Sequence, residues 1–216
     1  KGLFQTGASQ IVGYPKFDVF DAVRKENAIS FPDGRPFALY NPHYQRALTS
    51  APVCMTPLIK DFKAQTDYNL VVAPHIKMFH KGFGIRERQL KRQQSTDVLV
   101  DTGSDAMLDM TYTSQAALYI GDVSSQVYEF LAIPRPCIFL NPRRIPWRDD
   151  PYFLHWTLGD VVEDPADIMT AVAQAQERHA LYRPAQEKLF QETFGEPLLG
   201  ASQRAAEAIV RFMSDA

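Results

Sequence analysis

The chain has 216 residues, of which 45% are hydrophobic and 22% are charged, and its formal net charge is −2. A chain of this length can bury a hydrophobic core without staples, and its nearly balanced charge gives no reason to expect binding to nucleic acid. No apolar run approaches the ~20 residues of a membrane-spanning helix, and no signal peptide is visible. We therefore predict a cytoplasmic protein without an integral membrane segment.

Short apolar runs alternate with segments of helical periodicity along the chain. This alternation is typical of a parallel sheet covered by helices, and runs that are apolar throughout are expected where both faces of a strand are buried. The predicted strands are residues 37–40, 69–73, 97–101, 117–120, 137–140 and, more weakly, 160–162. The predicted helices between them are residues 52–64, 104–112 and 125–132.

Two further helices are predicted towards the C-terminus. Asp164 and Pro165 suit the start of the first, because Asp can cap a helix and Pro fits its first turn. Ser202 is predicted to cap the second. The apolar stripe of the first helix is Ile168, Met169 and Val172, and that of the second is Ala205, Ala208, Ile209 and Phe212.

The fold class predicted is α/β, a Rossmann-like parallel sheet with helices on both faces, forming a single domain over residues 1–216. The first residue is Lys1 rather than Met. We therefore expect the chain to be a fragment of a longer protein. Cys54 and Cys137 lie far apart without metal-site spacing, so they are predicted to be buried thiols in a reducing compartment.

Polar and small residues follow the predicted strands, and ligands of open parallel sheets bind beyond the carboxyl ends of the strands. His43 and His75 each come just after a strand. A histidine there can donate to phosphate or act as an acid or base near neutral pH, so these two are the candidate catalytic residues. The alternative is that each has only a structural role. His80, His155 and His179 lack such a context and are predicted to be surface or packing residues.

The segment from residue 117 to 141 carries the sharpest pattern. Ser124 and Ser125 are predicted to open a helix after a strand, where free backbone amides and the helix dipole form an anion site suited to a diphosphate. Glu129 could accept hydrogen bonds from the ribose hydroxyls, and Asp122 and Gln126 are assigned to the same nucleotide site. The alternative is that a serine only caps the helix and Glu129 is solvated.

This segment resembles a motif of the CDP-glycerol glycerophosphotransferase family, the teichoic-acid and capsule polymerases of the GT-B type. The shared pattern is an Asp, a Ser-Ser pair, an acidic residue one turn later and Arg135-Pro136 before an apolar strand. A second match is Val12-Gly13-Tyr14-Pro15-Lys16-Phe17-Asp18, similar to the Gly-x-Pro-Arg-x-Asp segment of the family. A third, Val71 to His75, is similar to its strand-then-His element.

The resemblance implies two facing Rossmann-like domains, with the nucleotide bound mainly by the C-terminal one and with neither metal nor cofactor required. On this resemblance, the chain is expected to be the C-terminal half of a longer two-domain enzyme. It places Ser124 and Ser125 at phosphate, His75 near the pyrophosphate and Glu129 on the ribose side. Gly13 and Lys16 join the nucleotide-binding set through the second motif. The loop at His43 departs from the Thr-Trp-Arg loop of the family, and Lys16 stands where Arg is commoner, which leaves the donor base and sugar open.

Three functions follow as alternatives. The first is a glycosyl- or glycerophospho-transferase that uses a nucleotide-activated donor for cell-surface polymer synthesis, with peripheral attachment to the inner membrane face as a further expectation. The second is an enzyme like UDP-N-acetylglucosamine 2-epimerases, whose nucleotide-binding segment the Asp122 region also resembles. The third is a non-catalytic nucleotide-binding module.

Three other features give weaker signals. A basic run could guide a phosphate-rich polymer acceptor or be a solvated helix. It consists of Lys77, Lys81, Arg86, Arg88, Lys91 and Arg92. Gly82 and Gly84 do not form a dinucleotide fingerprint, because the third glycine and the preceding strand are missing. Asp101, Asp105 and Asp109 are interpreted as helix-terminal acids rather than metal ligands.

Overall fold

The computed structural model describes residues 9–64, 67–79 and 85–214. Among these residues, six strands form one sheet, and all six were predicted, with bounds shifted by no more than one residue. They are β1 Phe37–Asn41, β2 Asn69–Val72, β3 Val98–Val100, β4 Leu118–Gly121, β5 Cys137–Leu140 and β6 Asp160–Val162. Their order is β3-β2-β1-β4-β5-β6, and every neighbouring pair is parallel. The strand order reverses between β1 and β4, where ligands bind in folds of this kind.

Helices connect the strands. They are α1 Phe20–Glu26, α2 Ala51–Ala64, α3 Ile85–Lys91, α4 Thr111–Gln115, α5 Gln126–Phe130, α6 Ile168–Phe194 and α7 Ala201–Ser214. Shorter 3-10 segments include Pro15–Val19 before α1, Asp105–Met107 before α4 and Pro151–Leu158 after β5. No described helix is long and apolar enough to cross a membrane.

The sheet is buried on both faces, as the continuous apolar strands predict. Successive side chains of a strand point to opposite faces, so Ala38 and Tyr40 lie in one core and Phe37 and Leu39 in the other. The first core is closed by α2 and α6, and the second by α4, α5 and the segment Pro151–Leu158. Cys54 and Cys137 are buried free thiols, and burial raises the pKa of Cys54 to about 12.

Two predictions about the helices are wrong. Residues 104–112 do not form one helix, because Met110 has a φ of 70°, in the left-handed region that interrupts a right-handed helix. Nearby amides bond to side chains instead: Asp101 accepts from the backbone of Ser104, and Asp109 from that of Thr111. Ser202 does not cap the last helix, because it is the second residue of α7 and the side chain of Asp18 accepts its backbone N–H.

The start of α6 was predicted correctly. The Asp164 side chain accepts from the backbone N–H of Ala166 at 2.9 Å, and Pro165 opens a 3-10 turn that leads into the helix. Ile168 and Val172 are buried against the sheet. The apolar face of α7 is exposed at Ile209 and Phe212, which have 61% and 66% exposure.

Candidate nucleotide-binding edge of the sheet

The structure brings the two predicted histidines together at the carboxyl ends of β1 and β2. The ring centroids of His43 and His75 are 6.2 Å apart. Tyr44 contacts both rings, with its centroid 4.6 Å from that of His43 and 4.7 Å from that of His75. The backbone N–H of His75 donates to the carbonyl of Pro42 at 3.1 Å, which fixes the loop after β2 to the loop after β1.

Backbone hydrogen bonds define the proton position on both rings. The Nδ1 atom of His43 accepts from the backbone N–H of Gln45 at 3.1 Å, and that of His75 accepts from Lys77 at 3.2 Å. A neutral imidazole whose Nδ1 accepts carries its proton on Nε2. Burial and the neighbouring His75 lower the pKa of His43, so this ring is neutral at neutral pH.

Positive charge lies beside these rings. The Lys77 ammonium is 5.2 Å from the centroid of the Tyr44 ring, a cation–π distance. Arg46, in the same loop as His43, is exposed. A cationic, hydrogen-bond-donating edge of this kind is suited to an anionic ligand such as a diphosphate.

Asp122, the residue after β4, is completely buried. It lies beneath the loop between β1 and α2 that carries His43, residues 42–50, which we call the histidine loop. Its Oδ2 atom accepts from the backbone N–H groups of His43 and Ser50, each at 2.9 Å. Its backbone carbonyl accepts from Trp156 Nε1 at 2.9 Å and lies 3.2 Å from a ring nitrogen of His155. Burial raises the pKa of Asp122 to about 6. Within the described ranges, Oδ1 has no hydrogen-bond partner.

Ser124 and Ser125 lie at the turn from β4 into α5, outside any continuous helix. Ser125 is exposed and directly precedes the helix, and Ser124 is half-buried. The Ser124 hydroxyl accepts from the backbone N–H of Gln126 at 3.3 Å. The Gln126 side chain donates to the carbonyl of Met107 at 2.8 Å, so its amide is held within the fold.

Glu129 and Lys16, predicted from different motifs, form one ion pair. Glu129 Oε1 accepts from Lys16 Nζ at 2.5 Å and from the Tyr14 hydroxyl at 2.8 Å. Burial, with the bond to Glu129, raises the pKa of Tyr14 to about 12. The alternative of a solvated Glu129 is thereby wrong, since the residue is only 8% exposed.

Gly13 lies against α7. Its φ is 90°, and a Cβ atom there would stand 2.9 Å from an Arg204 guanidinium nitrogen. A side chain is therefore disfavoured by both the backbone and the space. The structure places Gly13 where it permits a close approach between the N-terminal segment and the last helix.

The other residues singled out from the sequence make contacts within the fold. His155 is buried among aromatic rings, and burial lowers its pKa to about 4. A ring nitrogen of His179 lies 3.0 Å from the side-chain oxygen of Gln186. Asp101 accepts from the backbone of Gly103 and Ser104 and from the Tyr112 hydroxyl. The predictions for His80, Lys81, Gly82 and Gly84 lie outside the described residues.

Four residues of the basic run are described on or next to α3. Arg86, Arg88, Lys91 and Arg92 are exposed, and Lys91 pairs with Glu87 at 3.0 Å. This fits a solvated helix and leaves the polymer-guiding alternative as a proposal.

Sequence reasoning missed three aromatic residues of this region. Tyr44 adjoins His43 in the loop after β1, and Tyr14 lies inside the second motif, so both had a sequence signal. Trp156, which bonds to the carbonyl of Asp122, had none.

The parallel sheet formed by the described residues, covered by helices on both faces, defines the class as an α/β protein with a Rossmann-like fold. A family model described as CDP-Glycerol:Poly(glycerophosphate) glycerophosphotransferase matches residues 3–211. The chain therefore belongs to this family. No curated protein sequence matches the chain.

Solved structures share the fold at low sequence identity. The wall teichoic acid polymerase TagF is 13% identical with a TM-score of 0.62, and the match covers 95% of this chain and 52% of that one. A TagF variant soaked with CDPG is 14% identical, with a TM-score of 0.58 and coverages of 94% and 50%. UDP-GlcNAc 2-epimerase from Neisseria meningitidis, bound to UDP-GlcNAc, is 11% identical, with a TM-score of 0.50 and coverages of 93% and 54%. The chain thus spans about half the length of these solved chains.

Proposed function

We propose that this chain is the donor-binding, C-terminal half of a two-domain transferase that moves glycerophosphate from CDP-glycerol to a hydroxyl of a phosphate-rich polymer. The observation that carries the proposal is the convergence of His43 and His75 beside the Asp122–Ser125 turn at one edge of the sheet. Family membership supports the donor, whose diphosphate matches this cationic edge.

The two histidines have different roles in this proposal. His43, whose pKa is lowered, is neutral, and its one lone pair is on Nδ1. In the reaction Nδ1 exchanges the hydrogen bond from Gln45 for the attacking hydroxyl and takes the proton of that hydroxyl as the new phosphorus–oxygen bond forms. The bond between the two donor phosphates then breaks, and CMP leaves with the negative charge. His75 Nε2 and the serine turn donate hydrogen bonds to the diphosphate oxygens and stabilise that charge.

Other parts of the enzyme belong to the same proposal. A separate N-terminal domain supplies the second wall of the cleft, and the acceptor polymer passes the exposed basic face of α3. Glu129, held by Lys16 and Tyr14, receives the ribose hydroxyls. The enzyme works in the cytoplasm, at the inner membrane face.

The test is CMP release from CDP-glycerol by the full-length protein with a polyglycerophosphate acceptor. His43→Gln and His75→Gln should each lower kcat by about 10²- to 10⁴-fold. The matched control is His179→Gln, because His179 lies on α6 away from this edge and should leave kcat unchanged. Full activity in both edge variants would refute the proposal.

A parallel assay with UDP-N-acetylglucosamine tests the second candidate, an epimerase, which the similarity to the Neisseria meningitidis enzyme favours. Formation of the C2 epimer without glycerophosphate transfer would replace the first proposal with the second. Binding of either nucleotide without any turnover by the full-length protein would instead indicate a non-catalytic module.

A further inference from the structure

The two ends of the loop that carries His43 are hydrogen-bonded to a single oxygen atom. Asp122 Oδ2 accepts the backbone N–H of His43 at one end and that of Ser50 at the other, each at 2.9 Å. Two bonds to one carboxylate close the base of this loop, so the position of the His43 backbone depends directly on Asp122. The carboxylate itself is completely buried, and contact with a bound nucleotide would require the loop to open.

The Asp122 backbone is fixed from the opposite side. Trp156 Nε1 donates to its carbonyl at 2.9 Å, and a ring nitrogen of His155 lies 3.2 Å from the same atom. Trp156 is 1% exposed and packs against Phe139 of β5 and against Phe153. The anchor of the histidine loop is therefore tied to the packed core of the sheet.

Burying a carboxylate without a cationic partner is costly. Asp122 Oδ2 accepts from two backbone amides, and the Ser50 and Thr49 hydroxyls also stabilise the carboxylate, but none of these groups is cationic. Among the described residues, Oδ1 has no partner within hydrogen-bond geometry. A charged acceptor makes stronger bonds to two amides than a neutral one. That gain is useful where the loop geometry must be held closely, as at a reacting centre.

We propose that Asp122 is a positioning residue, which acts on the reaction by holding His43 and does not touch the nucleotide. This inference rests on the proposed function, because it takes His43 as the base for transfer. It reassigns Asp122 from the nucleotide-binding set predicted from the sequence.

A double-mutant cycle in the full-length protein tests it through CMP release. Asp122→Ala should lower kcat about 100-fold with little change in the KM for CDP-glycerol, since a displaced base loses its alignment. In the His43→Gln background, the same change should lower kcat by less than about 3-fold, because no base remains to misplace. Asp122→Asn keeps an oxygen that can accept both amides and should retain most of the activity.

Asp101→Ala is the matched control. Asp101 is also a buried acid after a strand, β3, and it also accepts two backbone amides, from Gly103 and Ser104. It holds its own loop, so its effect should be the same factor with His43 and with Gln at position 43. An equal loss for Asp122→Ala in both backgrounds would overturn the positioning role and leave a general structural one.

Ring signals of His43 in two-dimensional NMR separate this inference from the proposed function. They are assigned by their loss in His43→Gln, and the signals of His179 serve as the reference. Asp122→Ala should move the His43 signals, and Asp122→Asn should largely restore them. If His43→Gln keeps full transfer activity, the base assignment fails, and Asp122 no longer positions a catalytic group. Unmoved His43 signals in folded Asp122→Ala would overturn the positioning role itself.

Discussion

Asp122 and His155 are buried side by side, and burial shifts their pKa values in opposite directions. The pKa of Asp122 rises from 3.8 to about 6, and that of His155 falls from 6.5 to about 4. Between pH 4 and 6, Asp122 is protonated to a greater extent in the folded protein than in the unfolded chain. Its contribution to the free energy of unfolding therefore falls as the pH rises. His155 is protonated to a smaller extent in the folded protein than in the unfolded chain. Its contribution to the free energy of unfolding therefore rises with pH over nearly the same interval.

The two effects are similar in size and should nearly cancel. Each shift corresponds to about 3 kcal/mol. In Asp122→Asn only the contribution of His155 remains, so the free energy of unfolding should rise by about 3 kcal/mol between pH 4 and 6.5. In His155→Gln only the contribution of Asp122 remains, so the free energy of unfolding should fall over the same pH range. Urea denaturation of both variants across this range measures the slopes, and two parallel curves would contradict the pairing.

At the scale of single elements, Arg135 joins the ends of two helices. Its guanidinium donates to the carbonyls of Thr113, Ser114 and Ala116 at the end of α4 and to that of Phe130 at the end of α5. The last carbonyls of a helix lack intrahelical partners, so one side chain satisfies several of them. The guanidinium also lies 4.0 Å from the centroid of the Phe130 ring.

Replacing Arg135 should therefore destabilise the fold rather than the ligand site. Arg135→Met leaves several buried carbonyls without a donor, so we expect a loss of about 3–5 kcal/mol in the free energy of unfolding. Arg183→Met is the control, because Arg183 makes an exposed pair with Glu187 on α6 and should cost less than about 1 kcal/mol. Equal losses in the two variants would show that Arg135 does not join the helices in this way.

Short elements between β3 and β4 show where prediction from sequence fails. Strands were predicted correctly because continuous apolar runs have one explanation in a sheet buried on both faces. Residues 104–112 have helical periodicity, but the Asp109 side chain takes the backbone N–H of Thr111, which a continuous helix would bond to the carbonyl of Met107. Competition of this kind depends on where the side chains lie, and a periodic pattern does not contain that information.

At the scale of the whole molecule, the candidate site was predicted in its location and only partly in its contacts. The rule that ligands bind beyond strand ends placed His43, His75 and the two serines at one edge. The bonds from Tyr14 and Lys16 to Glu129 join residues more than a hundred positions apart, and those from His43 and Trp156 to Asp122 also cross between strands. A single sequence does not specify such pairings, because loop lengths and strand order decide them.

The two ends of the described chain are also joined, through Asp18. Its carboxylate accepts from the backbone N–H groups of Gly200, Ala201 and Ser202 at the start of α7. Hydrogen bonds from Ser202 and its neighbours lower the pKa of Asp18 to about 2. From the other direction, Arg204 on α7 donates to the carbonyl of Val12 at 3.0 Å. The segment that carries Lys16 is thereby held between α7 and Glu129.

Asp18→Ala should loosen this connection without unfolding the sheet. The first turn of α7 loses a side-chain acceptor for its free amides, and we expect its hydrogen exchange to become about fivefold faster, as for the loss of an N-cap. Asp21→Ala, an exposed acid of α1, is the control and should leave that exchange unchanged. Because Lys16 lies two residues from Asp18, exchange in the N-terminal segment should accelerate as well. Faster exchange in α7 alone would show that the segment is held by Glu129 and not by the last helix.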